Sequence, residues 1–184
     1  KHELTINEYI LLISKRNDYY WYYYELANLY WNIEKYEKAI DNFTKAIELN
    51  PKHTVSHTRR GRVYHILGDY NLAISSLSDA IKLDSTYVYA LSRLGNVYSD
   101  RDNPKKDNDK GLFYYTSAIT IDPTYTWAYE DRIKIYEELG EYEKALADYN
   151  TLIKLNPNSA TYFDRASFYQ YVMKGFDLAL KDYA

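Results

Sequence analysis

No cysteine occurs among the 184 residues. Disulfide scaffolds, cysteine-rich zinc sites and thiol catalysis are therefore excluded together, and the absence suits cytosol. No apolar run approaches the roughly 18 residues that a bilayer requires. The hydrophobic part of the opening KHELTINEYILLIS is followed by no small-residue cleavage site. Charge of one sign is lacking as well: 23 Lys and Arg stand against 26 Asp and Glu, a net charge of −3. No general field then draws phosphate backbones or an anionic membrane surface, which speaks against nucleic acid as a partner and against membrane insertion. A Gly-rich phosphate loop, a G-x-S-x-G turn and a Ser, His, Asp constellation are all missing. The chain is read as non-catalytic, with no catalytic residue, no cofactor and no metal assigned.

What the sequence has in excess is tyrosine. There are 24, which with five Phe and three Trp bring the aromatic fraction to 17% within an apolar content of 46%. That content is enough to bury a sizeable core. The aromatics are periodic. Ala39, Ala73, Gly111, Ala145 and Ala179 are separated by 34, 38, 34 and 34 residues. Ala46, Ala80, Ala118 and Leu152 keep the same rhythm, as do Tyr30, Tyr64, Tyr98 and Tyr136, and the series Ile13, Ile47, Ile81, Ile119, Ile153. Periods of this length signal stacked repeats.

Each unit divides into two amphipathic helical segments. Tyr23, Leu26, Ala27 and Tyr30 stand at i, i+3, i+4 and i+7, and Ala39, Phe43, Ala46 and Ile47 form a second stripe. Gly68, in HILGDY, suits the left-handed conformation that ends a helix. Small residues recur at Ala27, Gly61 and Gly95, where two helix axes must approach closely.

These residues resemble the tetratricopeptide repeat (TPR) signature, W-x2-L-G-x2-Y, then A-x3-F, then P. The matches are Tyr23, Leu26, Ala27, Tyr30, Ala39, Phe43 and Pro51; Leu91, Leu94, Gly95, Tyr98 and Pro123; and Tyr136, Ala145, Tyr149 and Pro157. The resemblance implies an all-α fold, a right-handed superhelical solenoid of antiparallel helix pairs. Its units are 1–19, the second helix of a truncated repeat; repeats at 20–53, 54–87, 88–125 and 126–159; and a truncated repeat at 160–184, together one continuous domain. Ile133 replaces the small residue of the fourth repeat, and Arg60 and Arg132 stand where leucine is typical, so their heads are expected to reach water. The last unit fits only with length changes around RASFYQYVMKGF. Both terminal helices are expected to expose apolar faces, as in a piece of a longer solenoid.

One stretch departs from the period. SDRDNPKKDNDKG, 99–111, lies where the third repeat is four residues longer than the second. It resembles the longer turn of the Sel-like TPR variant. A calcium loop is excluded by spacing: counted from Asp100, the required glycine is Lys105 and the required glutamate is Gly111. The stretch is read as a solvated turn inside a repeat and not a domain boundary. Deleting four residues within Asp102–Asn108 is then expected to cost under about 1 kcal/mol.

His53 and His57 stand at i, i+4 with His65 further on, a spacing read as packing and not as metal ligation. The basic run TRRGR, with Arg59, Arg60 and Arg62, lacks the recurrence per repeat that base-reading repeats show.

In the superhelix that the resemblance implies, the free face of each first helix lines a concave groove. That face carries Trp21, Tyr24, Asn28 and Trp31; then Val55, Thr58, Arg59, Arg62 and His65; then Tyr89, Ser92, Arg93 and Asn96; then Trp127, Glu130, Asp131, Lys134 and Glu137. Aromatics, arginines and carboxylates follow one another along it. TPR domains that clamp carboxylate tails use Lys and Asn, then Asn, then Lys and Arg; the matching positions here are Tyr24, Asn28, Arg59, Tyr89 and Arg93, of which only Asn28 and Arg93 agree. The expected function is a protein-interaction module holding a protein or peptide, an acidic one included, in this groove as adaptor or scaffold of a longer protein. The alternatives are self-assembly through the exposed terminal helices, or a non-catalytic region of a larger enzyme.

Overall fold

A computed structural model describes residues 5–183. Every element among them is helical. In order these are α1 (Ile6–Lys15), α2 (Tyr20–Asn32), α3 (Tyr36–Leu49), α4 (Thr54–Ile66), α5 (Tyr70–Leu83), α6 (Val88–Ser99), α7 (Asn108–Ile121), α8 (Thr126–Glu138), α9 (Tyr142–Leu155), α10 (Ser159–Ser167), a π-helical turn (Phe168–Val172) and α11 (Phe176–Tyr183). The first four residues of the unit placed at 1–19, and the last of the unit placed at 160–184, lie outside the described residues.

Each helix packs chiefly on its neighbours in sequence. Two compact units result, one ending at Lys106 and the other beginning at Asp107. The first holds α1 to α6, with α2/α3 and α4/α5 as its tightest pairs; the second holds α7 to α11, with α8/α9 as its tightest. The division falls inside the 99–111 stretch, so the two helices of the repeat placed at 88–125 belong to different units.

Close packing within a pair depends on small residues. Ala27, Ala39 and Ala46 are fully or almost fully buried beside Phe43 in the first unit. At Gly61 a Cβ would lie 2.7 Å from Leu77 Cγ and 3.2 Å from the Ala73 carbonyl, so the α4/α5 approach has no room for one.

The first helices of the pairs end alike. Glu34, Gly68 and Gly140 adopt φ of 57°, 78° and 72°, and the next residue's N–H donates back to the carbonyl of Tyr30, Tyr64 or Tyr136 at 2.8–2.9 Å. This Schellman closure satisfies carbonyls that a helix end leaves bare. The repeating tyrosine therefore marks the last turn of each first helix.

The third repeat does it differently, and here the structure adds to the sequence reading. After α6 the backbone turns extended at Asp100, φ −62° and ψ 130°. Asn103 is almost fully buried and its Nδ2 donates to the Val97 carbonyl at 2.7 Å, while its Oδ1 accepts from the Lys105 N–H. His65 Nε2 meets Asp100 Oδ2 at 2.6 Å and Lys105 Nζ donates to Asn71. The stretch 99–106 is exposed at Arg101, Asp102, Pro104 and Lys105, as a solvated turn should be, but it is also bonded onto the first unit, where the Asn103 amide takes over the work of the missing Schellman bond. Asp107 opens the second unit by capping α7 through the Lys110 N–H at 2.9 Å. Asn103→Ala is expected to cost about 1–3 kcal/mol, the penalty for an unsatisfied buried carbonyl. Chemical denaturation would measure it. A four-residue deletion that removes Asn103 should cost at least as much, and one that spares it, 104–107 or 105–108, still loses the Asp107 cap and should cost about 1 kcal/mol.

Arg60 and Arg132 do more than reach for water. Both are half-buried, and their heads are tied to neighbouring helices. Arg60 donates to Thr44 on α3 (3.2 Å) and Ser76 on α5 (3.3 Å). Arg132 donates to Thr116 on α7 (3.0 Å) and forks onto Asp148 on α9 (2.8 and 2.7 Å). Arg165 on α10 repeats the scheme with Asn150 on α9 and Asp182 on α11. Each arginine sits on a first helix and joins the second helices on either side, about sixteen positions away each way, a distance in sequence that one repeat length dictates.

The irregular length of the last unit has a local cause. In the π-helical turn Met173 N–H donates to the Phe168 carbonyl at 3.2 Å, five residues back, which inserts a residue into the helical register. Lys174 then takes φ 57° and the Gly175 N–H donates to the Tyr169 carbonyl at 2.8 Å, six residues back where the earlier pairs have five. Ile10 and Leu11 on α1, and Phe176 and Leu180 on α11, are exposed.

Candidate interaction faces

In the first unit, α2, α4 and α6 contribute one ladder of side chains. The guanidinium of Arg62 lies 4.6 Å from the centre of the Trp31 ring and that of Arg59 lies 5.7 Å from it. Arg62 Nη1 also donates to the Tyr89 hydroxyl at 3.0 Å, and Arg93 lies 5.1 Å from the Tyr89 ring centre. Trp31, Arg62, Tyr89 and Arg93 are thereby linked in series across three helices. Rings hold the guanidinium planes in place by cation–π attraction while leaving their N–H edges to other partners. Arg93 Nε is buried and has no hydrogen-bond partner. Burial raises the pKa of the nearby Glu25, against the opposing effects of its hydrogen bond with Asn28 and of the Arg59 charge. For Asp100, burial alone would raise the pKa, but hydrogen bonds from the Asp102 N–H and from His65 hold it below the ordinary carboxylate value.

Not every residue expected on this face reaches it. Tyr24 is buried against Phe43 and His53 in the core of the first unit. Thr58 is fully buried and its hydroxyl donates to the Thr54 carbonyl, 2.9 Å away on its own helix. Ser92 is likewise buried. These three are removed from the candidate set: a short side chain at that position sits beneath the neighbouring helices, and the Tyr24 ring turns inward where the His53 loop covers it. Trp21 remains partly exposed, packed on Tyr24 at 5.0 Å. Asn28, Val55, His65 and Asn96 are half-buried, with Val55 packed on the core cluster and His65 paired with Asp100.

The histidines are spent separately. His53 sits among Tyr20, Trp21 and Tyr24 with Nδ1 2.7 Å from Ser56 Oγ. Burial, then the His57 charge, lowers its pKa. The His57 Nε2–H donates to the Pro51 carbonyl, as the Tyr129 hydroxyl does to Pro123 in the second unit. Among the described residues no three His, Cys, Asp or Glu side chains gather as a metal site would require. No described helix is long and apolar enough to cross a membrane.

In the second unit, Trp127 is exposed, and Glu130, Lys134 and Glu137 follow it along α8. The last three border a pocket of about 440 Å³ whose other walls come from α9, α10 and the π-helical turn: Tyr149, Leu152, Asp164, Phe168 and Val172. The sequence reading missed these contributors, because it assigned groove residues only to the first helices up to α8, whereas Tyr149 and Leu152 lie on a second helix and the others in the last unit.

Sequential helix pairs packed on small residues and closed by a repeated left-handed cap define an α-helical repeat protein. Models of the tetratricopeptide repeat match residues 20–53, 42–75 and 134–159, and a TPR repeat model matches 61–100. The chain belongs to the tetratricopeptide repeat family. Solved structures agree on the fold. A crystal structure of MamA superposes with a TM-score of 0.74 at 23% identity, covering 85% of this chain and 90% of that one. YrrB, described as a TPR protein with an unusual peptide-binding site, gives 0.69 at 19%, covering 97% and 90%. A thermophilic TPR protein of Thermus thermophilus gives 0.69 at 22%, covering 89% and 88%. Repeats of this family serve as protein-interaction scaffolds, in a fold that is typically non-catalytic.

Proposed function

We propose that the chain is a non-catalytic adaptor or scaffold module of a longer protein and that the first-helix face of its first unit holds a protein segment bearing carboxylates. The carrying observation is the Trp31, Arg62, Tyr89, Arg93 ladder. Arginines held on aromatic rings are pre-organised, so little rotamer entropy is lost when a carboxylate arrives. The buried, unpartnered Arg93 Nε gains a partner at the same time.

A peptide array graded in acidic and aromatic content tests this. Arg59→Ala with Arg93→Ala should weaken a selected acidic peptide by about 2 kcal/mol or more, roughly thirtyfold in Kd, and flatten the salt dependence of what remains. Unchanged affinity in that double variant would overturn the reading.

Self-association is the second reading, favoured by one observation. Tyr142, Leu146 and Tyr149 on α9 pack in the core cluster of Phe168. One repeat later, Phe176, Leu180 and Tyr183 on α11 hold the same register with much of their surface exposed. Mass that rises with concentration in sedimentation, and that Leu180→Asp abolishes, would favour it.

A further inference from the structure

The pocket of the second unit has a chemistry opposite to that of the ladder. Its floor is apolar: Ile133, Leu152 and Phe168 are nearly fully buried and Val172 closes one side. Three carboxylates stand around it, Glu130 and Glu137 from α8 and Asp164 from α10. Glu137 accepts from the Tyr149 hydroxyl at 2.8 Å, which fixes its orientation. Lys134 is the cation at this rim, and its ammonium lies 2.7 Å from Asp131. Neither Glu130 nor Asp164 has an ion-pair partner among the described residues.

Charge is therefore crowded over an apolar hollow. Glu130 and Asp164 are exposed at the rim; partial desolvation raises the pKa of Glu130 most, and the neighbouring Asp131 and Asp164 carboxylates raise it further, against the opposing effect of Lys134. Burial, then Glu137, raises that of the Tyr149 hydroxyl, which stays a proton donor. A volume of about 440 Å³ suits one long side chain of a partner, within the range of roughly 300–1,000 Å³ of ligand pockets.

We propose that this pocket receives a lysine or arginine side chain of a partner segment, with the cationic head beside Glu130 and Asp164 and the aliphatic stem over Ile133, Leu152 and Phe168. A free aliphatic group would leave the carboxylates unbalanced, and an acidic one would be repelled. A small hydrated cation would leave the apolar floor unfilled. A long cationic side chain meets both demands because its stem and head differ in the same way as floor and rim. The proposal extends the reading of the protein as an interaction module but uses a different unit and a charge of opposite sign. It therefore stands or falls without the arginine ladder.

The test uses the full chain with labelled methyl groups, titrated with the Nα-acetyl methylamides of lysine, arginine, norleucine and glutamate. Lysine or arginine should shift the Ile133, Leu152 and Val172 methyl signals saturably. Norleucine, which keeps the stem and lacks the charge, should bind about tenfold more weakly, as befits the loss of a charge-assisted hydrogen bond. Glu130→Gln with Asp164→Asn should cost about the same factor. Glu37→Gln with Glu143→Gln, which removes two exposed carboxylates outside this pocket, should cost nothing. Lys134→Gln should tighten lysine binding by removing the competing cation. Equal binding of norleucine and lysine, preference for glutamate, or full lysine affinity in the Glu130/Asp164 variant would each overturn the proposal. If the acidic-peptide experiment fails while these titrations succeed, the ladder reading alone is lost.

Discussion

Asp148→Ala is expected to destabilise the second unit by about 3–5 kcal/mol. The Arg132 and Asp148 side chains are only 13% and 7% exposed, and the arginine forks onto that carboxylate through two hydrogen bonds. Removing Asp148 strands a guanidinium between α7 and α9, with Thr116 left as its hydrogen-bond partner. Stranding a buried charge costs far more than the pair itself contributes, since bringing both ions out of water had largely offset their attraction. The double variant Arg132→Leu, Asp148→Ala should therefore recover most of the loss. Leucine already fills this register in the first and third repeats, where Leu26 and Leu94 are buried. Urea unfolding of the parent, both single variants and the double variant closes the cycle. A loss under about 1 kcal/mol in Asp148→Ala, or a double variant as unstable as the single one, would show that the staple is not energetically coupled.

Phe43→Ala should cost the first unit about 3–5 kcal/mol, whereas Tyr183→Ala should cost about 1 kcal/mol. Both residues occupy the same place in the period, on the inner face of a second helix. Phe43 is fully buried, 6.0 Å from the Tyr24 ring and in the same core cluster as Tyr30. Truncating it leaves a cavity that the surrounding helices cannot collapse into. Tyr183 is 42% exposed, with its hydroxyl on Gln170 and its ring beside Phe163. Its loss mostly exchanges one wet contact for water. Hydrogen exchange on the amides of α3 and α11 would read the two effects separately, and equal costs would mean that periodic position, not burial, sets the energy.

Much of the fold was legible because repetition tests itself. A single alanine says little, but Ala39, Ala73, Ala145 and Ala179 in phase say that a helix pair needs a short side chain there, and all four are buried. Gly68 was readable for the same kind of reason, since a left-handed cap narrows the choice of residue. Its counterparts Glu34 and Lys174 were not, because the Schellman closure imposes the conformation on residues that do not advertise it. The arginine staples escaped the sequence reading in the same way. Arg60 and Arg132 look like leucine positions gone polar until one sees that Thr44, Ser76, Thr116 and Asp148 wait at their tips.

Of the candidate faces, the ladder was partly foreseeable. Arg59, Arg62, Tyr89 and Arg93 share one helical stripe per repeat, which is a local property that spacing reveals. Burial of Tyr24 and Thr58 was not, since it depends on what the next helix and loop place over them.

By itself, then, the sequence determined the helical class, the repeat length and the repeated apolar stripe of each helix, because these follow from periodicity within one or two turns. Only the tertiary structure decided where the chain divides, that Asn103 closes α6, and that Asp164 and Phe168 border one pocket with Glu130. Each of those outcomes is set by side-chain reach and by the need to satisfy buried polar atoms, and no local pattern encodes them.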